Sequence, residues 1–161
     1  TGDVRVYPLG ENRHLAQLSR YCGTGDAMKP GLTPRETLLF QVAWLGGAGA
    51  GADAADKALH IFGLAAMADM PNGWLSSGQR RRVALAGLAL TSLALPSFGA
   101  TCLSRPLWLL DEPANALDEQ AQGQLAALVA GHRAKGGIVI AATHQPVQWP
   151  GTAELRLGAP A

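Results

Sequence analysis

Asp111 and Glu112 directly follow the apolar run Leu107-Trp108-Leu109-Leu110. Such a run reads as a strand buried on both faces, and ligands gather at the carboxyl ends of parallel strands. Two adjacent carboxylates there can divide the work. Asp111 can hold the shell of a Mg²⁺ ion, usually through water, and Glu112 can polarise a water attacking a terminal phosphate. A second group, Leu75-Ser76-Ser77-Gly78-Gln79, stands at the start of a helix. Orphan backbone N–H groups and the helix dipole attract phosphate there, Gly78 permits close approach, and the serines add donors. His144, just past a strand over residues 138–142, can hydrogen-bond a phosphate and the attacking water. Each group has a plain alternative: an acidic strand end in solvent, a serine N-cap, a structural histidine.

The elements that would position these groups alternate between strand and helix. Val4-Arg5-Val6-Tyr7 reads as a short strand closed by Pro8. Thr33-Pro34-Arg35-Glu36 is a helix start with a capping box, followed by an apolar face of Leu38, Leu39, Val42 and Leu45. Gly46-Gly47 ends that helix, and residues 46–52, all Gly or Ala, read as a flexible loop. Asp53 opens a second helix that carries Leu59, Ile61 and Phe62 and stops at Gly63. Pro71-Asn72-Gly73 is a turn, and a helix is expected from about Gln79 to Leu90. Asp118 caps a helix carrying Leu125, Leu128 and Val129, which Gly136-Gly137 breaks. Ile138-Val139-Ile140-Ala141 reads as a second buried strand. The pattern argues an α/β fold with a mainly parallel sheet.

Bulk properties narrow the class. The 161 residues fit one domain, and with 48% of them apolar a real core can form. A net charge of +1 gives no long-range pull toward nucleic acid, and the basic cluster Arg80-Arg81-Arg82 reads as a solvated helix face. Cys22 and Cys102 lack metal-ligand spacing and read as unpaired thiols. His14, His60 and His132 also lack ligand spacing. The longest apolar run, residues 83–95, is interrupted by Gly87, Thr91 and Ser92 and reads as a buried helix, so no membrane-spanning segment is expected. No signal-peptide pattern opens the chain.

Taken in order, Leu-Ser-Ser-Gly-Gln at a helix start, strand-Asp-Glu-Pro, Asn115-Ala116-Leu117-Asp118 and strand-His resemble the ABC (ATP-binding cassette) ATPases over residues 1–157 or so. In that family these are the signature, the Walker B strand, the D-loop and the switch histidine. A finer match, to the haem-export subunits of cytochrome c maturation, rests on four stretches. They are residues 74–86 from Trp74 through the signature, residues 107–113, Thr143-His144-Gln145-Pro146, and Tyr21-x-Gly23 with Lys29, Leu32, Thr33, Glu36 and Phe40. The resemblance implies a P-loop NTPase-like domain over residues 1–161, with a helical subdomain over about 31–92 that carries the signature. It implies Glu112 and His144 as catalytic residues, and Leu75, Ser76, Ser77, Gly78, Gln79 and Asp118 as nucleotide contacts. Asp111 is the implied Mg²⁺ residue, with ATP and Mg²⁺ as cofactors. The implied partners are a second ABC domain, head to tail, and the membrane subunits of a haem exporter. The implied place is the cytoplasmic face of the bacterial inner membrane, as a peripheral subunit.

The sequence also departs from the family. The phosphate-cradling Walker A pattern, Gly-x-x-x-x-Gly-Lys-Ser/Thr, does not occur, and in the family it lies ahead of the segment matching Gly2-Asp3-Val4. The chain is therefore expected to start after it, as an N-terminally incomplete domain. The Q-loop glutamine position falls near Gly25, and the arginine common in the signature helix is Gly87. Residues 93–104 lengthen the link to the Walker B strand by about a dozen residues and read as a surface loop. Three readings follow: the ATPase subunit of an exporter for haem or another substrate, a non-catalytic domain lending only its signature half-site, and a DNA-repair or condensin-type ATPase. The third lacks the coiled coils and basic surface it requires.

Overall fold

The computed structural model describes residues 18–25, 28–44, 51–92, 106–147 and 149–155. The expected strand at residues 4–7, His14, Cys102, the loop at 93–104 and most of the Gly/Ala segment lie outside the described residues.

Among the described residues three parallel strands form a sheet, in the order β1 (Ser19–Cys22), β2 (Leu107–Asp111), β3 (Ile138–Ala142). β2 is central, and Leu107, Trp108 and Leu110 are buried, as its unbroken apolar run requires. β3 corrects the expectation of a second fully buried strand. Ile138 is 49% and Ile140 52% exposed, whereas Val139 and Ala141 turn to the core. The reason is position. Among the described strands β3 lies at an edge, and helix α4 (Glu119–Ala134) packs against it, so one side chain in two is covered.

The described residues among 34–92 are helical apart from short turns. α1 (Pro34–Trp44) begins with the expected capping box: Thr33 N donates to Glu36 Oε2 at 2.8 Å, and Glu36 N to Thr33 Oγ1 at 3.1 Å. α2 (Gly51–Ile61) starts two residues before the expected Asp53, so Gly51 and Ala52 belong to the helix rather than the loop. Arg35 ties the two together through Asp56 at 3.0 Å. Asn72, 1% exposed, donates to Lys29 O and Thr37 Oγ1 and so anchors the turn leading into the next helix. That helix, α3 (Ser77–Ser92), is the expected buried one: Val83, Leu85, Ala86, Leu88 and Ala89 are fully buried.

α4 opens on Asp118, whose carboxylate accepts from Ala121 N at 2.8 Å, as expected of a cap. Near its end, His132 stacks on Trp108 with ring centroids 3.9 Å apart. Trp108 Nε1 donates to Thr91 Oγ1 at 3.1 Å, so one buried indole joins β2, α3 and α4. The histidine without ligand spacing is thus a core residue, and burial pushes its pKa down.

Candidate functional site

The site is built where β2 and β3 end. Asp111 pairs with Ala142, and Glu112 N donates to Ala142 O at 2.8 Å, which carries the pairing one residue past β2. There the backbone swings into the left-handed region, with φ 45° at Glu112. This turn brings the carboxylate against the residues after β3. Oε1 accepts from His144 N at 3.0 Å and lies 2.7 Å from His144 Nδ1, and Oε2 accepts from Thr143 Oγ1 at 3.2 Å. The imidazole contact, foremost among these, holds the Glu112 carboxyl below the usual range and outweighs desolvation. A carboxylate has about four acceptor positions, so three donors leave room for a water. Nδ1 is engaged by Glu112, and the His144 side chain is otherwise 67% exposed.

Asp111 stands beside this pair, half-buried, with Tyr21 Oη of β1 donating to its carboxylate over a long 3.4 Å. Its remaining acceptor positions are open to a cation. The structure brings Asp111, Glu112 and His144 to one strand end, beside Thr143 and Tyr21.

The start of α3 is a capping box in its own right. Ser76 N donates to Gln79 Oε1 at 2.8 Å, and Gln79 N to Ser76 Oγ at 3.2 Å. These side chains are thus engaged by their own helix. The amides of Ser77 and Gly78 have no backbone partner among the described residues, and Ser77 is exposed. Gly78 has a second role: a Cβ there would lie 2.8 Å from Ala116 O, in the turn between Glu112 and α4. Leu75, implied as a nucleotide contact, is 3% exposed, and its side chain belongs to the core. Asp118 caps α4 with one oxygen and is otherwise exposed. Gly25 is exposed, while at Gly87 an added Cβ would collide with Gln41 Oε1 beside Arg20.

The basic cluster departs from its expected role. Arg81 is only 5% exposed. Its Nη2 donates to Asp111 O at 3.0 Å and to Glu112 O at 2.8 Å, and its Nη1 to Gly23 O. The signal was in the helical spacing: Arg81 lies on the stripe that continues through Leu85 and Leu88, both fully buried. Cys22 packs in the same place, a free thiol whose pKa burial raises.

No family model matches the sequence. Individual relatives do. The cytochrome c biogenesis ATP-binding export protein CcmA of Rhodopseudomonas palustris is 43% identical over 144 residues, covering 89% of this chain and 64% of the relative. The protein of the same name from Nitrobacter hamburgensis is 44% identical over 146 residues, covering 89% and 65%. That of Rhodospirillum rubrum is 45% identical over 137 residues, covering 85% and 52%. Over most of its own length the chain is thus similar to CcmA proteins. It spans between half and two thirds of the length of these CcmA relatives.

Solved ABC structures share the fold. The ATP-binding subunit of an ABC transporter matches with TM-score 0.61 at 20% identity, over 78% of this chain and 48% of the other. An ATP-binding cassette solved as a dimer in a post-hydrolysis state, with ADP and phosphate bound, matches with TM-score 0.63 at 24% identity, over 79% and 52%.

Proposed function

We propose that this ABC chain is part of the ATP-hydrolysing subunit of an exporter serving cytochrome c biogenesis, with haem as the exported substrate. The observation that carries the reading is the Glu112–His144 pair, held at 2.7 Å beside Asp111 at the end of the central strand. The similarity to CcmA proteins supports the transport role.

Each residue has a task. Glu112 orients and polarises the attacking water, and His144 steadies its carboxylate through Nδ1 and, when Nε2 also carries a proton, donates from Nε2 to the terminal phosphate. Asp111 fits Mg²⁺ as a single oxygen ligand, directly or through water. Among the described residues no group of three or more His, Cys, Asp or Glu side chains gathers, so Asp111 would hold the ion together with oxygens of the substrate and water. Bound there, the metal supplies neutralisation of phosphate charge. The α3 start offers the Ser77 and Gly78 amides to the phosphates of a second ABC domain packed head to tail, with residues of about 31–92 as the helical part that carries it. Asp118 and the preceding turn line that contact. The domain lies on the cytoplasmic face of the inner membrane, docked on the membrane subunits. Among the described residues no helix is long and apolar enough to cross a membrane.

The test uses the full-length protein with its membrane partners. Glu112→Gln lowers hydrolysis by about 10²- to 10⁴-fold while ATP affinity is kept, because Gln retains the shape and loses the charge. Asp111→Asn weakens Mg-ATP affinity as well. If Glu112→Gln keeps more than about a tenth of the rate, another group does this work.

A further inference from the structure

We propose that Arg81 is a positioning residue for hydrolysis: from inside α3 it grips the backbone on both sides of the strand-end turn and so aims Glu112. The proposal rests on the reading of Glu112 as the carboxylate that orients water.

Three observations carry it. First, the guanidinium is buried, and its partners are carbonyl oxygens rather than a carboxylate: Gly23 O, Asp111 O and Glu112 O, with Cys22 Sγ at 3.9 Å. Among the described residues its Nε has no hydrogen-bond partner. A buried cation without a counterion is a poor device for stability, since an apolar side chain of similar size would fill the space without the desolvation. Second, the two carbonyls gripped by Nη2 belong to consecutive residues, and the φ of 45° lies at the second of them. A left-handed conformation in a non-glycine residue persists only where its surroundings impose it. The planar fork of Arg81, bonded to both peptides, is such a surrounding. Third, Arg81 sits one turn into the helix whose first amides are offered to phosphate. A shift of the helix start on ligand binding is thereby passed to the Glu112 peptide, and through Gly23 to the end of β1.

In the full-length protein with its membrane partners, Arg81→Met is expected to lower kcat by about a hundredfold while the KM for ATP changes less than about threefold. A decisive readout is the double-mutant cycle with Glu112→Gln. If Arg81 acts through Glu112, adding Arg81→Met to Glu112→Gln lowers the residual rate by less than about threefold, whereas a general structural role lowers both backgrounds equally. Arg81→Lys, which lacks the fork, should fold and still lose at least about tenfold in kcat. The proposal is overturned if Arg81→Lys keeps the wild-type kcat, if the Arg81→Met loss lies in KM, or if the two losses multiply. Should Glu112→Gln itself retain the wild-type rate, the underlying reading of Glu112 falls instead.

Discussion

Glu112 and His132 both deviate from their ordinary titration, for opposite reasons. Glu112 is held down by donors, foremost the His144 imidazole, whereas His132 is held down by burial against Trp108. The His132 case has a consequence for stability. Its folded pKa lies below the ordinary histidine value of about 6.5, so the unfolded chain takes up a proton more readily. Its contribution is intact above about pH 6.5 and is lost as pH falls through the folded value. We expect the melting temperature to decline as pH is lowered below about 6.5, and His132→Gln to flatten that decline. Parallel melts of the two proteins across pH 5–8 check it, and identical slopes would rule His132 out. At this scale the sequence was only partly legible. Asp111, Glu112 and His144 stood out because charged groups at the ends of apolar strands are unusual. Arg81 was hidden by its neighbours: three arginines in a row suggest solvent, and only the stripe through Leu85 and Leu88 betrays the buried one.

Among the elements, the contact of α3 with the turn that leads into α4 depends on one missing methyl group. Gly78→Ala places a Cβ 2.8 Å from Ala116 O, which is backbone and cannot swing aside. Helix propensity favours alanine by up to about 1 kcal/mol, but overpacking of this kind costs about 1–3 kcal/mol. The variant should therefore be destabilised, by up to about 2 kcal/mol, and slower in hydrolysis. Gly123→Ala in α4 is the natural comparison, because nothing lies within 4 Å of the added carbon. It should stabilise by about 0.5–1 kcal/mol. Chemical denaturation of both variants decides the matter, and equal shifts would remove the steric argument. Caps and turns were the most legible features here: Thr33, Asp118 and Gly63 do locally what their residue types dictate. The Ser76–Gln79 box was less so, because the same residues that satisfy a helix start also suit a phosphate. The exposed face of β3 was not legible at all. Ile138 and Ile140 are as apolar as Val139, and which of them meets the core depends on the covering of the sheet.

For the molecule as a whole, that face governs behaviour in solution. Ile138 and Ile140 stand half-exposed on an edge strand, an arrangement that invites pairing and aggregation. Residues 1–161 expressed by themselves should be poorly soluble. Replacing both isoleucines with threonine, which keeps strand propensity, should raise the soluble fraction several-fold, as read by light scattering; an unchanged fraction would locate the fault elsewhere. The parallel topology has another effect, one that belongs to synthesis. Among the described strands β1 pairs with β2 alone, about 90 residues further along the chain. At the ribosome's pace of about 5–20 residues per second, Ser19–Cys22 wait about 4–18 s for their partner. During that interval the helices up to α3 can pack on one another, but Arg81 has no Asp111 or Glu112 carbonyl to hold. The helical part is thus born first, and the Glu112 turn is the late arrival that locks onto it.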